Sequence, residues 1–284
     1  MRWDQFRKSD NVEDRRSGGR MVRRGGLGMG TIMVLGIAGY MLGIDPQLLI
    51  SGAELLSGGG GGTVQTTGTQ GTPDDELGRF AGKILGNTED VWTREFQTQL
   101  NAKYTPPGMV LFSGSTSSGC GFAESAMGPF YCPTDQKVYV DLSFFEQMRR
   151  QFGAGGDFAY AYVIAHEVGH HVENQIGLLS QVNQQRRVSG EAESNRLSVR
   201  IELMADCLAG VWAYHSNQNY RSLEQGDIEE ALQAAQAIGD DMLQKKARGY
   251  AVPDSFTHGT SQQRMQWLST GLKDGKIESC NTFQ

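Results

Sequence analysis

Hydrophobic residues recur at helical spacing through most of the chain after residue 74. In residues 74–103, apolar side chains stand three or four positions apart, which places them on one face of a helix. The same periodicity predicts helices over residues 143–152, 157–177, 190–218, 227–247 and 261–271. Strand-like runs occupy residues 109–114, 130–132 and 137–142, and a Pro-Thr-Asp-Gln turn predicts that the last two form a hairpin. We therefore predict an α+β fold, mostly helical with a small antiparallel sheet.

A continuous uncharged segment precedes these helices: residues 25–44 contain no charged side chain. Twenty residues are enough for a helix to cross the roughly 30 Å apolar core of a bilayer. Basic residues outnumber acidic ones by eight to four in residues 1–24, and the positive-inside rule keeps such a segment in the cytoplasm. We therefore predict one transmembrane signal-anchor helix over residues 25–44, with residues 1–24 cytoplasmic. A cleaved signal peptide, a buried soluble helix and the reverse orientation are the alternatives.

Residues 45–73 separate this apolar segment from the helical region. Five consecutive glycines and a Thr/Gln-rich run offer too little apolar surface to fold, so we predict a flexible linker that leads to one domain over residues 74–284. The chain carries a net charge of −6, and since residues 1–24 carry +4, the remaining 260 residues carry −10. This acidic balance argues against a nucleic-acid partner that is attracted by bulk charge.

All four cysteines follow the predicted span: Cys120, Cys132, Cys207 and Cys280. An even number of cysteines in an exported domain permits two disulfides, and buried free thiols are the alternative. Pairing Cys120 with Cys132 would close a short loop and leave Cys207 and Cys280 to tie the C-terminus to the core, but the sequence does not fix the pairing. No C-x-x-C spacing occurs, so we expect no cysteine-bound zinc.

The sequence HEVGH at residues 166–170 carries the strongest chemical signal. On a helix, His166 and His170 lie on one face, so both imidazoles can bind the same metal ion. Glu167 stands beside them as a general base. Zinc suits imidazole ligands, and a catalytic zinc site has three protein ligands and one open position, so we predict one zinc ion. His171 points away from this face and is not expected to be a ligand.

Glu202 and Asp206 are the candidates for the remaining protein contact with the ion. They are four positions apart, and the hydrophobic residues around them indicate a mostly buried helix. Buried carboxylates need a partner, and a divalent cation supplies one. We therefore predict that Glu202 is the third ligand and that Asp206 orients a ligand histidine. A solvated face on which these acids pair with Arg196 or Arg200 is the alternative.

Five segments of the chain resemble a single protein family. They are MRWDQFRKSDNVEDRRSGG at the start, SGCGFAESAMGPFYCPTDQKVYVDLSFF, AHEVGHHVENQ, RIELMADCLAGVW and PDSFTHGTSQQR. Together with the apolar span they resemble the bacterial neutral zinc metallopeptidases, membrane-anchored zincins that are similar to gluzincins. The resemblance implies a zincin-like domain in the bacterial inner membrane, facing the periplasm or the exterior. For the site it implies the same roles for His166, Glu167, His170, Glu202 and Asp206.

These residues predict hydrolysis of peptide bonds in a peptide or protein substrate. The oxyanion of the reaction needs a further donor, for which His258 is our candidate. Its rivals are Tyr160, Tyr162 and Tyr250, and a loop histidine that caps the helix at residues 261–271 or braces Asp206 is the alternative. The strand at residues 137–142 is also expected to pair by its edge with an extended substrate.

A non-hydrolytic, zinc-bound scaffold or regulator of the cell envelope, with a protein partner, is the competing function. The intact Glu167 favours the enzyme, because a structural zinc site needs no general base and usually has four protein ligands.

Overall fold

The computed structural model describes residues 1–16 and 68–283. Its strands are β1 (Val12–Asp14), β2 (Thr69–Gln70), β3 (Gly108–Phe112), β4 (Ser115–Ser118), β5 (Gly121–Glu124), β6 (Phe130–Cys132) and β7 (Lys137–Asp141). Its α-helices are α1 (Glu76–Gln99), α2 (Ser143–Phe152), α3 (Asp157–Gln175), α4 (Leu178–Val188), α5 (Glu191–Tyr220), α6 (Asp227–Ala237), α7 (Asp240–Arg248) and α8 (Ser261–Asp274). The predicted α+β class with mostly helical content is confirmed.

The main sheet has five strands in the order β2-β1-β3-β7-β6. Strands β1, β3 and β7 run parallel, whereas β2 and β6 are antiparallel edge strands. The predicted hairpin of β6 and β7 is confirmed. The predicted antiparallel sheet is wrong, because β7 lies between β6 and β3 and runs parallel to β3, which makes the sheet mixed. Both edges of β7 are therefore paired, so residues 137–142 have no free edge for substrate and that prediction is also wrong.

Two helical predictions differ from the structure. The helix predicted over residues 227–247 is two helices, α6 and α7, which are separated at Gly239. A Cβ atom at Gly239 would lie 2.4 Å from the amide nitrogen of Ser261, so the chain turns directly against the start of α8. Helix α4 was not predicted, because Val182 is its one fully buried residue and its sequence shows no apolar periodicity.

Residues 1–16 belong to the same folded unit as the helices. Phe6 and Val12 are 4% and 0% exposed and lie in the main hydrophobic core. Strand β1 is paired on both sides, with β2 and with β3. The prediction of a separate N-terminal segment over residues 1–24 is therefore wrong for residues 1–16, since their few apolar side chains complete the core despite the basic composition.

No helix in residues 1–16 or 68–283 is both long and apolar enough to cross a membrane. The predicted span at residues 25–44 lies outside the described residues, and so does most of the predicted linker. Within that linker, Thr69 and Gln70 form strand β2, so the folded domain begins before residue 74.

Two disulfides are present, and all four cysteines take part in them. Cys120–Cys132 joins the β4–β5 hairpin to β6, and Cys207–Cys280 joins α5 to a turn near the C-terminus. The predicted pair of disulfides is confirmed, and the structure supplies the pairing that the sequence leaves open. Cys207 directly follows Asp206, so the second disulfide supports the helix that carries Glu202 and Asp206.

Glu13 links β1 to strand β7 and to the residue that precedes β2. Its carboxylate accepts hydrogen bonds from Arg15 (2.7 Å), Lys137 (3.1 Å) and the Gly68 amide (3.2 Å). Chiefly through Arg15, these contacts lower the pKa of Glu13 to about 2. The unfolded chain takes up this proton near pH 4.5, so the stabilisation is complete above pH 4.5 and is lost as the pH falls toward 2.

We expect Glu13→Gln to lower the free energy of unfolding by about 1–3 kcal/mol at pH 7. It should also flatten the loss of stability between pH 4.5 and pH 2, as measured by urea denaturation at several pH values. Asp10→Asn, which alters an exposed acid on the same segment, is the control. Equal unfolding midpoints for the two variants at pH 7 would contradict this role of Glu13.

Candidate metal centre

Two buried helices carry the predicted ligands and pack closely against each other. Helix α3 carries His166 and His170, and helix α5 carries Glu202. Gly169 lies at the contact, where a Cβ atom would stand 3.0 Å from the carbonyl oxygen of Ala205. The small residue lets the helices approach closely, and this proximity brings the Glu202 carboxylate to the two imidazoles.

The three side chains converge on one point. His166 Nε2 lies 3.2 Å from Glu202 Oε2, and His170 Nε2 lies 3.5 Å from Glu202 Oε1. One ligand atom from each residue lies within 4.8 Å of the other two. Two ligands that are each about 2.1 Å from a tetrahedral zinc ion stand about 3.4 Å apart, so these residues fit the ion.

Burial acts on both carboxylates of the centre, with opposite outcomes. It would raise the pKa of Glu202, but the nearby His170 and His258 lower that pKa well below its usual range, so Glu202 stays charged. Burial also raises the pKa of Glu167, which the histidines only partly offset. A carboxylate whose pKa is raised toward neutrality is a better proton acceptor for catalysis.

His166 is held from behind by a buried charged pair. Its Nδ1 lies 2.8 Å from Asp206, which also accepts a hydrogen bond from Tyr162. Arg264 on α8 binds both oxygens of Asp206, at 2.8 and 2.9 Å. Burial would raise the pKa of Asp206, but Arg264 and His166 lower it to about 2. Asp206 thus contacts His166 on one side and Arg264, which no sequence pattern marks, on the other.

The other ligand histidine has a different contact. His170 Nδ1 lies 2.8 Å from Glu173, one turn further along α3. Glu173 is not among the predicted site residues, although its i,i+3 spacing from His170 is a usable signal. The neighbouring His171 contacts Tyr131 and the carbonyl oxygen of Thr105 instead, which is consistent with our expectation that it is not a ligand.

His258 is held by Asp240, a further residue that was not predicted from the sequence. The Asp240 carboxylate lies 3.2 Å from His258 Nδ1 and accepts hydrogen bonds from the backbone amides of residues 257, 258 and 259. Burial would lower the pKa of His258, but the carboxylates of Glu202 and Asp240 raise it. Asp240 therefore fixes the orientation of the imidazole, and the negative charge of Glu202 acts on it electrostatically.

The rival tyrosines have other contacts. The Tyr162 hydroxyl donates to Asp206, and the ring of Tyr160 stacks on Phe145. Tyr250 is 61% exposed and packs beside Arg248. These contacts favour His258 over the tyrosines as the donor.

A second group of acids satisfies a similar spacing and consists of Asp157, Asp227 and Glu230. The amino group of Met1 lies 2.7 Å from Asp157 and 3.2 Å from Asp227. Because a cation already pairs with these acids, we assign no metal to them.

Comparison with known proteins places the chain in a family. The family model described as "Putative neutral zinc metallopeptidase" matches residues 1–283. The chain belongs to this family. The resemblance inferred from the sequence is confirmed, and family membership supports a zinc peptidase in general terms.

The relatives themselves are uncharacterised. The chain is 48% identical over 292 residues to the uncharacterised protein YpfJ of Escherichia coli K12, covering 100% of this chain and 99% of that protein. It is 45% identical over 190 residues to the uncharacterised protein Rv2575 of Mycobacterium tuberculosis H37Rv, covering 63% of each chain. No solved structure gives a significant match.

Proposed function

We propose that this protein is a zinc-dependent metallopeptidase that hydrolyses peptide bonds. The observation that carries the proposal is the convergence of His166, His170 and Glu202 beside the buried Glu167. Among the described residues this ligand group has three members, which leaves a fourth position for water. Three protein ligands and a neighbouring general base are the composition of a catalytic site, whereas a structural site usually has four protein ligands. This composition favours the enzyme over a non-hydrolytic scaffold or regulator.

Each residue of the site has a separate role in the proposed reaction. A bound zinc ion would lower the pKa of a water molecule toward about 7 and polarise the scissile carbonyl group. Glu167 accepts a proton from the attacking water and passes it to the leaving amine. His258, held by Asp240, donates a hydrogen bond to the oxyanion. Asp206 holds His166 so that Nε2 faces the ligand site.

The test is metal analysis and peptide cleavage with the full chain. The full chain is required because residues 1–16 and strand β2 are part of the folded domain. We expect one zinc ion per chain, and cleavage of casein or a peptide library that a chelator removes and added zinc restores. A folded chain without zinc would refute the ligand assignment. Bound zinc without cleavage would support the scaffold.

His258→Gln tests the proposed oxyanion donor. Because loss of one such donor costs about 10²–10³ in kcat, we expect a decrease of this size, with KM and zinc content nearly unchanged. His215→Gln is the matched control, since His215 contacts Glu95 and the carbonyl oxygen of Gly275 rather than the ligand set. An unchanged kcat in His258→Gln would exclude this role.

We also propose that the catalytic domain lies on the outer face of the bacterial cytoplasmic membrane. The two disulfides support this location, because disulfides persist in oxidising compartments. Anchoring through residues 25–44 stays a prediction.

A further inference from the structure

Glu173 is a fully buried acid whose carboxylate has few polar partners. Its side chain is 0% exposed, and Oε2 lies 2.8 Å from His170 Nδ1. Its other carboxylate oxygen, Oε1, is buried without a hydrogen-bond partner in the described part of the chain. Burying a carboxylate with so few partners costs folding free energy, so a functional reason for Glu173 at this position should be sought.

The two ligand histidines are supported in different ways. Asp206, behind His166, is neutralised by the guanidinium group of Arg264. Glu173, behind His170, has no Lys or Arg within ion-pair distance among the described residues and pairs with His170 itself. A metal ion bound to His170 Nε2, on the far side of the ring from Glu173, would supply the compensating positive charge.

We propose that Glu173 is a positioning residue for the metal centre, and this inference rests on the proposed zinc-dependent function. Its carboxylate accepts the Nδ1 proton of His170 and thereby fixes the tautomer in which Nε2 is free to bind the ion. It also makes the ring a stronger donor to the metal, as carboxylates behind zinc-bound histidines do. The site then has two such supports, Asp206 for His166 and Glu173 for His170.

The experiment measures zinc affinity of the full chain by competition with a chromophoric chelator. Glu173→Leu removes the acceptor, and we expect zinc to bind about 10–100-fold more weakly. Glu173→Gln keeps an acceptor of the same shape without its charge, so we expect it to recover part of the affinity. Absorption spectra of the cobalt-substituted proteins should shift in the Leu variant, because the orientation of a ligand ring changes.

Glu95→Gln provides the matched control. Glu95 is also buried and lies 3.2 Å from the Nδ1 atom of another histidine, His215, outside the metal centre. It should affect the melting temperature of the metal-free protein but not its zinc affinity. Parent-like zinc affinity in both Glu173 variants would overturn the inference. Failure of the parent chain to bind zinc would overturn the proposed function and the inference with it.

A second and independent observation concerns the two ends of the chain segment between residues 16 and 68. Strand β1 pairs with β2, so that Asp14 stands opposite Thr69, and the Gly68 amide donates to Glu13. Arg16 forms an ion pair with Asp75 at the start of α1. Residues 14–16 and 68–69 therefore lie next to each other at the same edge of the sheet.

We infer that residues 1–16 lie in the same compartment as the disulfide-bonded domain. Strand β1 is hydrogen-bonded between β2 and β3, and Val12 is 0% exposed in the core, so the segment cannot be on the other side of a membrane from the domain that contains it. A single span at residues 25–44 would put residues 1–24 and the domain on opposite sides of the membrane in either orientation, so this inference is incompatible with the predicted single-span anchor.

The test compares the accessibility of two single cysteines in the full chain. Asp10→Cys and Val188→Cys place thiols at exposed positions of the N-terminal segment and of the catalytic domain. Because the native cysteines are all in disulfides, a membrane-impermeant maleimide reports on the new thiol. In spheroplasts we expect both variants to be labelled, or both protected, and lysis should allow labelling of both. Labelling of one variant with protection of the other would overturn the inference.

Discussion

Glu167→Gln should slow hydrolysis by orders of magnitude while zinc stays bound. The substitution keeps the shape of the side chain but removes its capacity to accept a proton, and a positioned general base contributes about 10²–10⁴-fold to such reactions. We therefore expect kcat/KM to fall by about 10²–10⁴-fold. Since the ligand group of His166, His170 and Glu202 does not include Glu167, the zinc content should remain at one ion per chain. The measurement is cleavage of a fluorogenic peptide beside metal analysis of the same samples.

Glu202→Gln is the informative companion to this variant. It also loses activity, but it does so by weakening metal binding, because a neutral amide replaces the charged ligand. Excess zinc should therefore restore part of the activity of Glu202→Gln and none of the activity of Glu167→Gln. Full hydrolysis by Glu167→Gln with zinc bound would refute the assignment of Glu167 as the base.

The parts of the site that the sequence predicted are those set by local helix geometry. His166 and His170 are four positions apart, as are Glu202 and Asp206, and an α-helix places such pairs on one face whatever the tertiary fold. The sequence periodicity also predicted that both helices are buried. These two features were enough to predict that the four side chains lie close together.

The parts that were missed depend on contacts between distant segments. Arg264 and Asp240 lie on other helices than the groups they contact, and no spacing rule relates them. Strand β1 was missed for a similar reason: three residues carry too little pattern, and their strand character comes from pairing with β2 and β3. The basic composition of residues 1–24 suggested membrane topology, whereas Arg15 and Arg16 form ion pairs within the fold.

Arg264→Leu should be among the most destabilising single substitutions in the described part of the chain. Arg264 is 3% exposed and binds both oxygens of Asp206, which is 0% exposed. Removal of one partner leaves a buried charge without compensation, which typically costs 3–5 kcal/mol. We expect a decrease of about 3–5 kcal/mol in the free energy of unfolding of the metal-free protein, measured by urea denaturation.

The double variant Arg264→Leu/Asp206→Asn separates this charge effect from the loss of packing. If the uncompensated carboxylate causes the damage, neutralising it should recover part of the stability, although Asn still holds His166 less well than Asp and zinc binding should weaken. Arg196→Leu is the control: Arg196 is 62% exposed and pairs with Glu193 on the surface, so its removal should cost about 1 kcal/mol or less. A double variant no more stable than Arg264→Leu would show that the arginine stabilises the domain through packing rather than through its charge. Recovery would instead identify Arg264 as the cation that allows a carboxylate to remain ionised behind His166.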